Sequence, residues 1–355
     1  MWILIFLTGL CILISMNAIQ FSSSSEKSSI GVMHLKRYWE KSLAKRDGSI
    51  PQQAFQEEWN LDFTLLNTLG LGLEQTIQYL YQQKPDLDEF EKWILNINGG
   101  SIPETKIENF NSLVEGHSID KVRVEEIPNA LSDTDIEFWN SNGYVIIRQA
   151  ISKEDAQNTI DIICDFLGID LFDRSTWYRP HPARQGIMIQ LFQSDQLEKN
   201  RRSQKIKAAY EQLWNRKDLW CSTDRVSFNP PENENWTFPG PRLHWDVSLE
   251  LPIPFGLQGL LYLSDTQEDQ GAFTLVPGFH NRIQTWINSL PPGTNPRTED
   301  LYALGAKPIG ANAGDFILWH QALPHGSSPN TAAVPRFVQY INYMPVDAGV
   351  KEKWK

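Results

Sequence analysis

The sequence predicts an α+β protein in which helices precede a β-sandwich or barrel. From about residue 220, short apolar runs alternate with clusters of Gly, Pro, Asn and Asp, which is typical of many short strands separated by turns. Earlier in the chain, apolar residues recur at intervals of three and four, the spacing of amphipathic helices. A chain of 355 residues with 13 tryptophans can build a large core.

The N-terminal third divides into three parts. Residues 1–32 are expected to be an apolar leader, or the product of a start codon placed too early, followed by a Ser-rich linker that need not be ordered. Residues 33–115 predict an accessory helical domain, because "FTLLNTLGLGLEQTIQYLYQQ" has helical periodicity and "DLDEFEKWILNINGG" ends in a glycine pair. In this domain we expect a solvated His34 and no catalytic cluster. The polar residues 116–131 predict a linker.

Residues 132–355 are predicted to form a second domain. Ser132 and Ser152 each precede an acidic residue at the third helical position, a capping pattern that predicts two helix starts, and "YVIIRQ" lies between them as a strand. The second helix has one apolar face that we assign to core packing, formed by Ala156, Ile160, Ile163 and Leu167. Six predicted strands follow: "RVSFNPP", "HWDVSLEL", "LQGLLYLSD", "AFTLVPG", "DFILWHQ" and "RFVQYINYMPV". Their main interruption, at about 279–305, is expected to hold a short helix.

Charge and cysteine usage limit the partners and the compartment. The net charge is -11 without a basic run, which argues against a nucleic-acid partner. The three cysteines are widely spaced and form no CxxC, so no disulfide framework is expected. We therefore expect a cytoplasmic protein with a small-molecule substrate. The alternative is a membrane anchor formed by residues 1–19, and membrane contact is expected only if that apolar segment is retained.

The stretch "RLHWDVSLELP" places two chemically active side chains on one side of an extended chain. His244 and Asp246 are two residues apart, and residues i and i+2 of a strand point the same way. Two histidines and one carboxylate form the facial triad of non-haem Fe(II) sites, which leaves three metal positions open. The third ligand must then come from a distant strand.

Two histidines of "GDFILWHQALPHGSSPN" compete for the third position. His320 and His325 are five residues apart, so they have opposite parity on a continuous strand and only one is expected to face the metal. We favour His325, which precedes a Gly-Ser turn and lies eleven residues before Arg336. His320 is interpreted as a packed strand histidine. The planar fork of Arg336 suits a carboxylate.

Taken in order, these pieces resemble the phytanoyl-CoA dioxygenase family of Fe(II)/2-oxoglutarate-dependent oxygenases. The resemblance covers residues 132–345 and rests on "NGYVIIRQAIS", "HWD", "LSDTQEDQGAFTLVPGFH", "HGSSPN" and Arg336. It implies a double-stranded β-helix, or jelly roll, flanked by helices. It also implies the cofactors Fe(II), 2-oxoglutarate and O2. Nothing is transferred to the helical segment before residue 116.

Carried over residue by residue, the resemblance implies that His244, Asp246 and His325 bind iron. It also implies that Arg336 and Ser327 bind the distal carboxylate of 2-oxoglutarate. Because halogenases of related type lack the carboxylate ligand, Asp246 favours hydroxylation of a substrate C–H, or a related desaturation or cyclisation. Succinate and CO2 would be released.

Further polar and aromatic residues are candidates for binding. Gln258 and Asn342 are expected near the co-substrate if their strands face inward, and the same question of strand parity applies to Gln190, Ser227 and Asn229. For the substrate, the candidates are Trp245 in the pocket wall and three residues of the Pro-rich loop "WYRPHPARQG", namely Trp177, Arg179 and Arg184. An exposed loop with ordinary cations is the alternative interpretation of that loop.

Two other functions remain open for this barrel. One is a binding or regulatory protein that has lost turnover, against which an intact triad and Arg336 both argue. The other is a metal cupin that does not use 2-oxoglutarate, in which Arg336 would be structural. The substrate itself, possibly linked to a thioester or a carrier, is not specified by the sequence.

Overall fold

The computed structural model describes residues 19–51, 56–117 and 130–349. Predictions for residues 1–18 and for most of the 116–131 linker therefore lie outside the described residues. The described helices are α1 Leu35–Arg46, α2 Trp59–Thr68, α3 Leu73–Gln83, α4 Leu87–Ile97, α5 Glu104–Val114, α6 Asp133–Asn142, α7 Lys153–Leu167, α8 Asp195–Arg201, α9 Gln204–Trp214 and α10 Ile283–Ser289. Within the described ranges, no helix has the length and apolar character needed to cross a membrane.

Helices α1–α5 surround a hydrophobic cluster of their own. Leu65, Phe90 and Phe110 are fully buried in it, and Trp220 from the following domain packs against it. The Ser-rich stretch is not a free linker, because the backbone N–H of Ser22 donates to Glu40 and that of Ser29 to Glu91. The expectation for His34 was also wrong. It is fully buried and bonded to a carboxylate of α2.

Twelve described strands form three sheets. They are β1 Tyr144–Ile147, β2 Arg184–Gln185, β3 Met188–Ile189, β4 Leu219–Cys221, β5 Val226–Asn229, β6 Leu257–Tyr262, β7 Phe273–Leu275, β8 Lys307–Ile309, β9 Phe316–His320, β10 His325–Ser327, β11 Arg336–Tyr340 and β12 Tyr343–Pro345. The large sheet has the order β1-β9-β6-β11-β5-β3-β2, and a smaller sheet has the order β10-β7-β8. The two are the sheets of a jelly roll, as the sequence predicted, and the third sheet pairs β12 with β4.

Alternation along the strands gives the large sheet two different faces. On β9, Phe316 and Leu318 pack outward in the cluster that contains residues of α7 and α9. The intervening Ile317 and Trp319 pack inward with β7 of the small sheet. The inner face therefore forms the wall of a cavity between the two sheets, and inward-facing polar residues determine its chemistry.

The predicted helix starts are confirmed. Ser132 and Ser152 are the N-caps of α6 and α7, and each accepts a hydrogen bond from the backbone N–H three residues on. The apolar face predicted for the second of these helices is buried. One predicted strand is wrong: "HWDVSLEL" forms only a single bridge, through His244. The carbonyls of Trp245 and Val247 instead accept hydrogen bonds from Arg297.

Candidate active site

A single antiparallel bridge brings two distant histidines together. The backbone N–H of His244 donates to the carbonyl of His325, and the reverse bond is also made, each at 2.9 Å. The two imidazole centroids are 4.9 Å apart. Gly326 permits this approach, since a Cβ there would lie 2.5 Å from the Arg242 carbonyl oxygen. The bridge therefore requires a glycine at position 326.

Asp246 completes a group of three possible ligands. Its carboxylate oxygens lie 3.2 Å from Nε2 of His244 and 3.2 Å from Nε2 of His325. The Nδ1 atoms of the two rings face the carbonyls of Arg242 at 2.7 Å and Leu323 at 3.0 Å. A carbonyl only accepts, so each Nδ1 carries hydrogen and each Nε2 is directed at the carboxylate.

This arrangement requires a cation between the three groups. Two imidazole lone pairs and a carboxylate at these distances repel one another unless a proton or a metal ion lies between them. Burial favours the neutral acid, but hydrogen bonds and charge from the two histidines outweigh it, so the pKa of Asp246 lies well below its usual range. Burial lowers the pKa of His244, yet contact with Asp246 outweighs this effect and the net pKa is raised. The donor set is the one that Fe(II) takes in facial-triad sites.

The neighbours of the triad orient its carboxylate. Gln258 donates from Nε2 to Asp246 at 2.8 Å and accepts from the indole N–H of Trp319 at 3.2 Å. Asn342 accepts from the backbone N–H of Gly259 at 2.9 Å, and so is joined to the strand that carries Gln258. Both amides line the pocket, as expected, although each contacts protein groups. Their contact with a co-substrate stays a prediction.

The triad opens into a cavity of about 250 Å³ between the sheets. Its described lining is Met188, Asp224, Arg225, Pro241, His244, Asp246, Gln258, Phe273, Trp319, His325, Gly326, Ser327, Tyr340 and Asn342. Asp224 and Arg225 were not singled out from the sequence. They precede β5. Arg225 lies two residues before Ser227, so the alternation of a strand indicates that both side chains face the same way. That this side is the inner one follows only from the register of β5 with β11.

Arg336 lies behind this lining and is fully buried. Nη1 donates to Ser327 and Nη2 to Ser227, each at 3.2 Å, while Nε makes no hydrogen bond to any described residue. Oδ1 of Asn229, the cross-strand partner of Arg336, is likewise without a described partner. Within residues 19–51, 56–117 and 130–349 no carboxylate pairs with Arg336. A buried guanidinium without a counter-charge fits an anionic ligand such as a 2-oxoglutarate carboxylate.

Arg297, from the interruption between β7 and β8, was also missed. It donates from Nη1 to the carbonyl of Trp245 at 2.7 Å and from Nη2 to that of Val247 at 2.6 Å. These carbonyls flank Asp246 along the chain. Arg297 thus fixes the backbone from which the Asp246 carboxylate projects. The sequence carries no signal for this role, because the two segments are 50 residues apart and no local motif joins them.

The predicted substrate residues lie away from the described lining of this pocket. Trp245 points opposite to its neighbours in the extended chain, and its indole donates to the Ala322 carbonyl in the core. Trp177 is also buried, and its N–H bonds to Asp170. Arg184 donates to the Trp177 carbonyl and stacks over Phe228. Arg179 is exposed. A role of these residues in binding the substrate therefore stays a prediction.

A second group of possible ligands occurs among the helices. His34, Glu58 and Asp62 converge there. Lys41 is buried at this point and its ammonium contacts Asp62 at 2.8 Å and Glu58 at 2.5 Å. Arg37 also pairs with Glu58, at 2.9 Å, so two positive charges offset the two carboxylates and the group is an ion-pair network and not a metal centre.

Comparison with known proteins agrees with the geometry. Residues 139–338 match the family described as Phytanoyl-CoA dioxygenase (PhyH). A putative phytanoyl-CoA dioxygenase of Dictyostelium discoideum is 26% identical over 260 residues, which are 59% of this chain and 74% of that protein. Ava biosynthesis cluster protein O of Aspergillus versicolor is 23% identical over 257 residues, 64% of this chain and 82% of that one.

Among solved structures, EctD from S. alaskensis with bound Fe is similar at a TM-score of 0.47 and 15% identity, covering 66% of this chain and 84% of that one. The family match spans more than half of the chain. The expected cofactors, iron and 2-oxoglutarate, fit both the family and the donor set of the site. The chain therefore belongs to the phytanoyl-CoA dioxygenase family and is a 2-oxoglutarate-dependent oxygenase-type enzyme.

Proposed function

We propose that this protein hydroxylates an unactivated C–H bond of a small molecule, with release of succinate and CO2. One observation carries the proposal: the three possible metal ligands line the same cavity as Ser327, to which the buried Arg336 donates a hydrogen bond. Iron and 2-oxoglutarate, when bound, supply oxidative decarboxylation of the keto acid by O2, coupled to oxidation of the substrate.

The residues of the chain would act by binding and orienting. The two Nε2 atoms and the Asp246 carboxylate would hold the metal, with Gln258 steadying the carboxylate. Arg336, with Ser327 and Ser227 beside it, would bind the distal carboxylate. Phe273 and Trp319 give the cavity an apolar wall that limits the entry of water.

The first experiment is an anaerobic titration of apo-protein with Fe(II) and 2-oxoglutarate. We expect a weak visible charge-transfer band in the wild type and none in Asp246→Ala or His325→Ala. His320→Asn is the matched control, since this histidine packs on the outer side of the barrel, and it should retain the band. Absence of the band from folded, iron-loaded wild type would contradict the proposal.

The two remaining alternatives give different results in the same assay. A binding protein that has lost turnover would show the band but no succinate with any substrate. A metal cupin that does not use 2-oxoglutarate would bind Fe(II) without the band, and Arg336→Met would leave its activity unchanged.

A further inference from the structure

The pocket has a second polar side that the chemistry at iron does not use. Asp224 and Arg225 line it just before β5. The carbonyl of Arg225 accepts from the backbone N–H of Tyr340, which places Arg225 on the inner face beyond Ser227. These charges therefore face the space left for a substrate.

The two carboxylate oxygens of Asp224 differ in the length of their hydrogen bonds. Oδ1 accepts the backbone N–H of Arg225 at 2.7 Å. Among the residues that the structure describes, Oδ2 has one hydrogen-bond partner, the amide of Asn342 at 3.5 Å. The guanidinium of Arg225 pairs with the other oxygen, with 3.5 Å between its Nε and Oδ1. Oδ2 of this lining residue thus has room for a closer donor.

Glu74 explains why Arg225 leaves that oxygen open. Glu74 lies in the first turn of α3, in the accessory helical segment, and binds Nη2 of Arg225 at 2.8 Å. The shorter contact draws the guanidinium toward Glu74 and away from Asp224. The carboxylates of Asp224 and Glu74 thus share the guanidinium of Arg225, which lies closer to Glu74.

We propose that Asp224 recognises the substrate by accepting a hydrogen bond from a protonated amine, and that Glu74 is a positioning residue that keeps Arg225 from neutralising it. The proposal rests on the proposed function, because the amine must lie in the same cavity as the iron site. The cavity of about 250 Å³ is smaller than the roughly 300–1,000 Å³ of drug-sized ligand sites, so the substrate, or the part of it that enters, is small.

The test uses probes of equal shape and different charge. Cyclohexylamine and cyclohexanol form one pair, and glucosamine and glucose form another. Each is added to the full-length anaerobic Fe(II)/2-oxoglutarate complex, and its dissociation constant is taken from the change in the visible band. In wild type we expect the amine of at least one pair to bind about tenfold or more tightly than its alcohol, as hydrogen bonds to charged groups do.

Variants separate recognition from structure. Asp224→Asn keeps the shape and should abolish the preference for the amine while leaving alcohol binding unchanged. Glu74→Gln should reduce the preference several-fold, because Arg225 then turns to Asp224. Asp88→Asn removes an exposed ion pair with Lys92 on the same helical segment and should change nothing.

The outcomes are distinguishable. Equal binding of amine and alcohol, no binding of either amine, or a preference that persists in Asp224→Asn would each overturn this proposal in protein that shows the visible band. Loss of the band from wild type would instead overturn the proposed function. An unchanged band in Asp224→Asn verifies that the variant is folded and holds iron.

Discussion

Arg336 is a fully buried cation whose described neighbours are neutral hydroxyls. Such a charge is stable only if a ligand or water supplies the missing partner. Arg336→Met should therefore raise the KM for 2-oxoglutarate on the order of 100-fold, as expected for truncating one side of a buried ion pair. Fe(II) affinity should stay unchanged. Arg202→Met, which removes an exposed cation, is the control. A normal KM would indicate that Arg336 has only a structural role.

Arg297 acts on the metal site through the backbone. Its two short bonds fix the carbonyls on either side of Asp246, so their loss should loosen the carboxylate. We expect Arg297→Met to weaken Fe(II) binding roughly 10- to 100-fold, the usual effect of removing a group that orients a ligand. Competition with a chelator measures this without turnover. Arg282→Met removes a similar bond to the Leu304 carbonyl and should keep full affinity.

The sequence identified residues that act through a short motif and missed those that act across the fold. His244, Asp246 and His325 follow from parity and spacing. Arg225 and Arg297 do not, since the first required the register of β5 with β11 and the second a contact between segments distant in sequence. Trp245 belongs to the same motif, but the alternation along the chain turns its side chain into the core.

At the scale of an element, the end of strand β9 separates two histidines, which lie on strands of different sheets and not on one continuous strand. His320 lies on the outer side of the barrel beside Trp139, Phe255 and His280, whereas His325 begins β10 after a turn. Burial first, and then the charge of His280, lower the pKa of His320 to about 4. Its Nδ1 accepts the backbone N–H of Ala322 at 3.0 Å, which favours the neutral ring.

This burial predicts an acid sensitivity of the fold. The unfolded histidine takes up a proton near its ordinary pKa of about 6.5, and the folded one only near 4. Stability from this group is thus complete above about pH 6.5 and is lost as the pH falls toward 4. Between about pH 7 and 5, His320→Asn should lose about 2 kcal/mol less unfolding free energy than wild type, measured by urea denaturation. Equal losses would contradict the low pKa.

At the scale of the whole molecule, the helical segment and the barrel share a continuous boundary. Trp220 of β4 packs into the cluster of α1–α5 and makes an edge contact with Phe110, their centroids 6.3 Å apart. Asn67 accepts the backbone N–H of Thr223 at 2.8 Å, and Lys106 pairs with Glu198 at 2.8 Å. The sequence predicted both units but not the contacts between them, because such contacts join residues distant in sequence and leave no repeating pattern of apolar residues.

These contacts predict that helices and barrel unfold together. Trp220→Ala should cost about 3 kcal/mol, the usual range for truncating a large aromatic side chain at a packed site. Far-UV circular dichroism and tryptophan fluorescence should still give the same urea midpoint. Trp93→Ala, within the helical cluster and stacked on Tyr79, should shift both signals equally as well. Two separated transitions in either variant would show that the helical segment folds independently. The salt bridge between Glu74 and Arg225 crosses the same boundary. If the helical segment unfolds independently, Glu74 would hold Arg225 in place only while that segment is folded against the barrel.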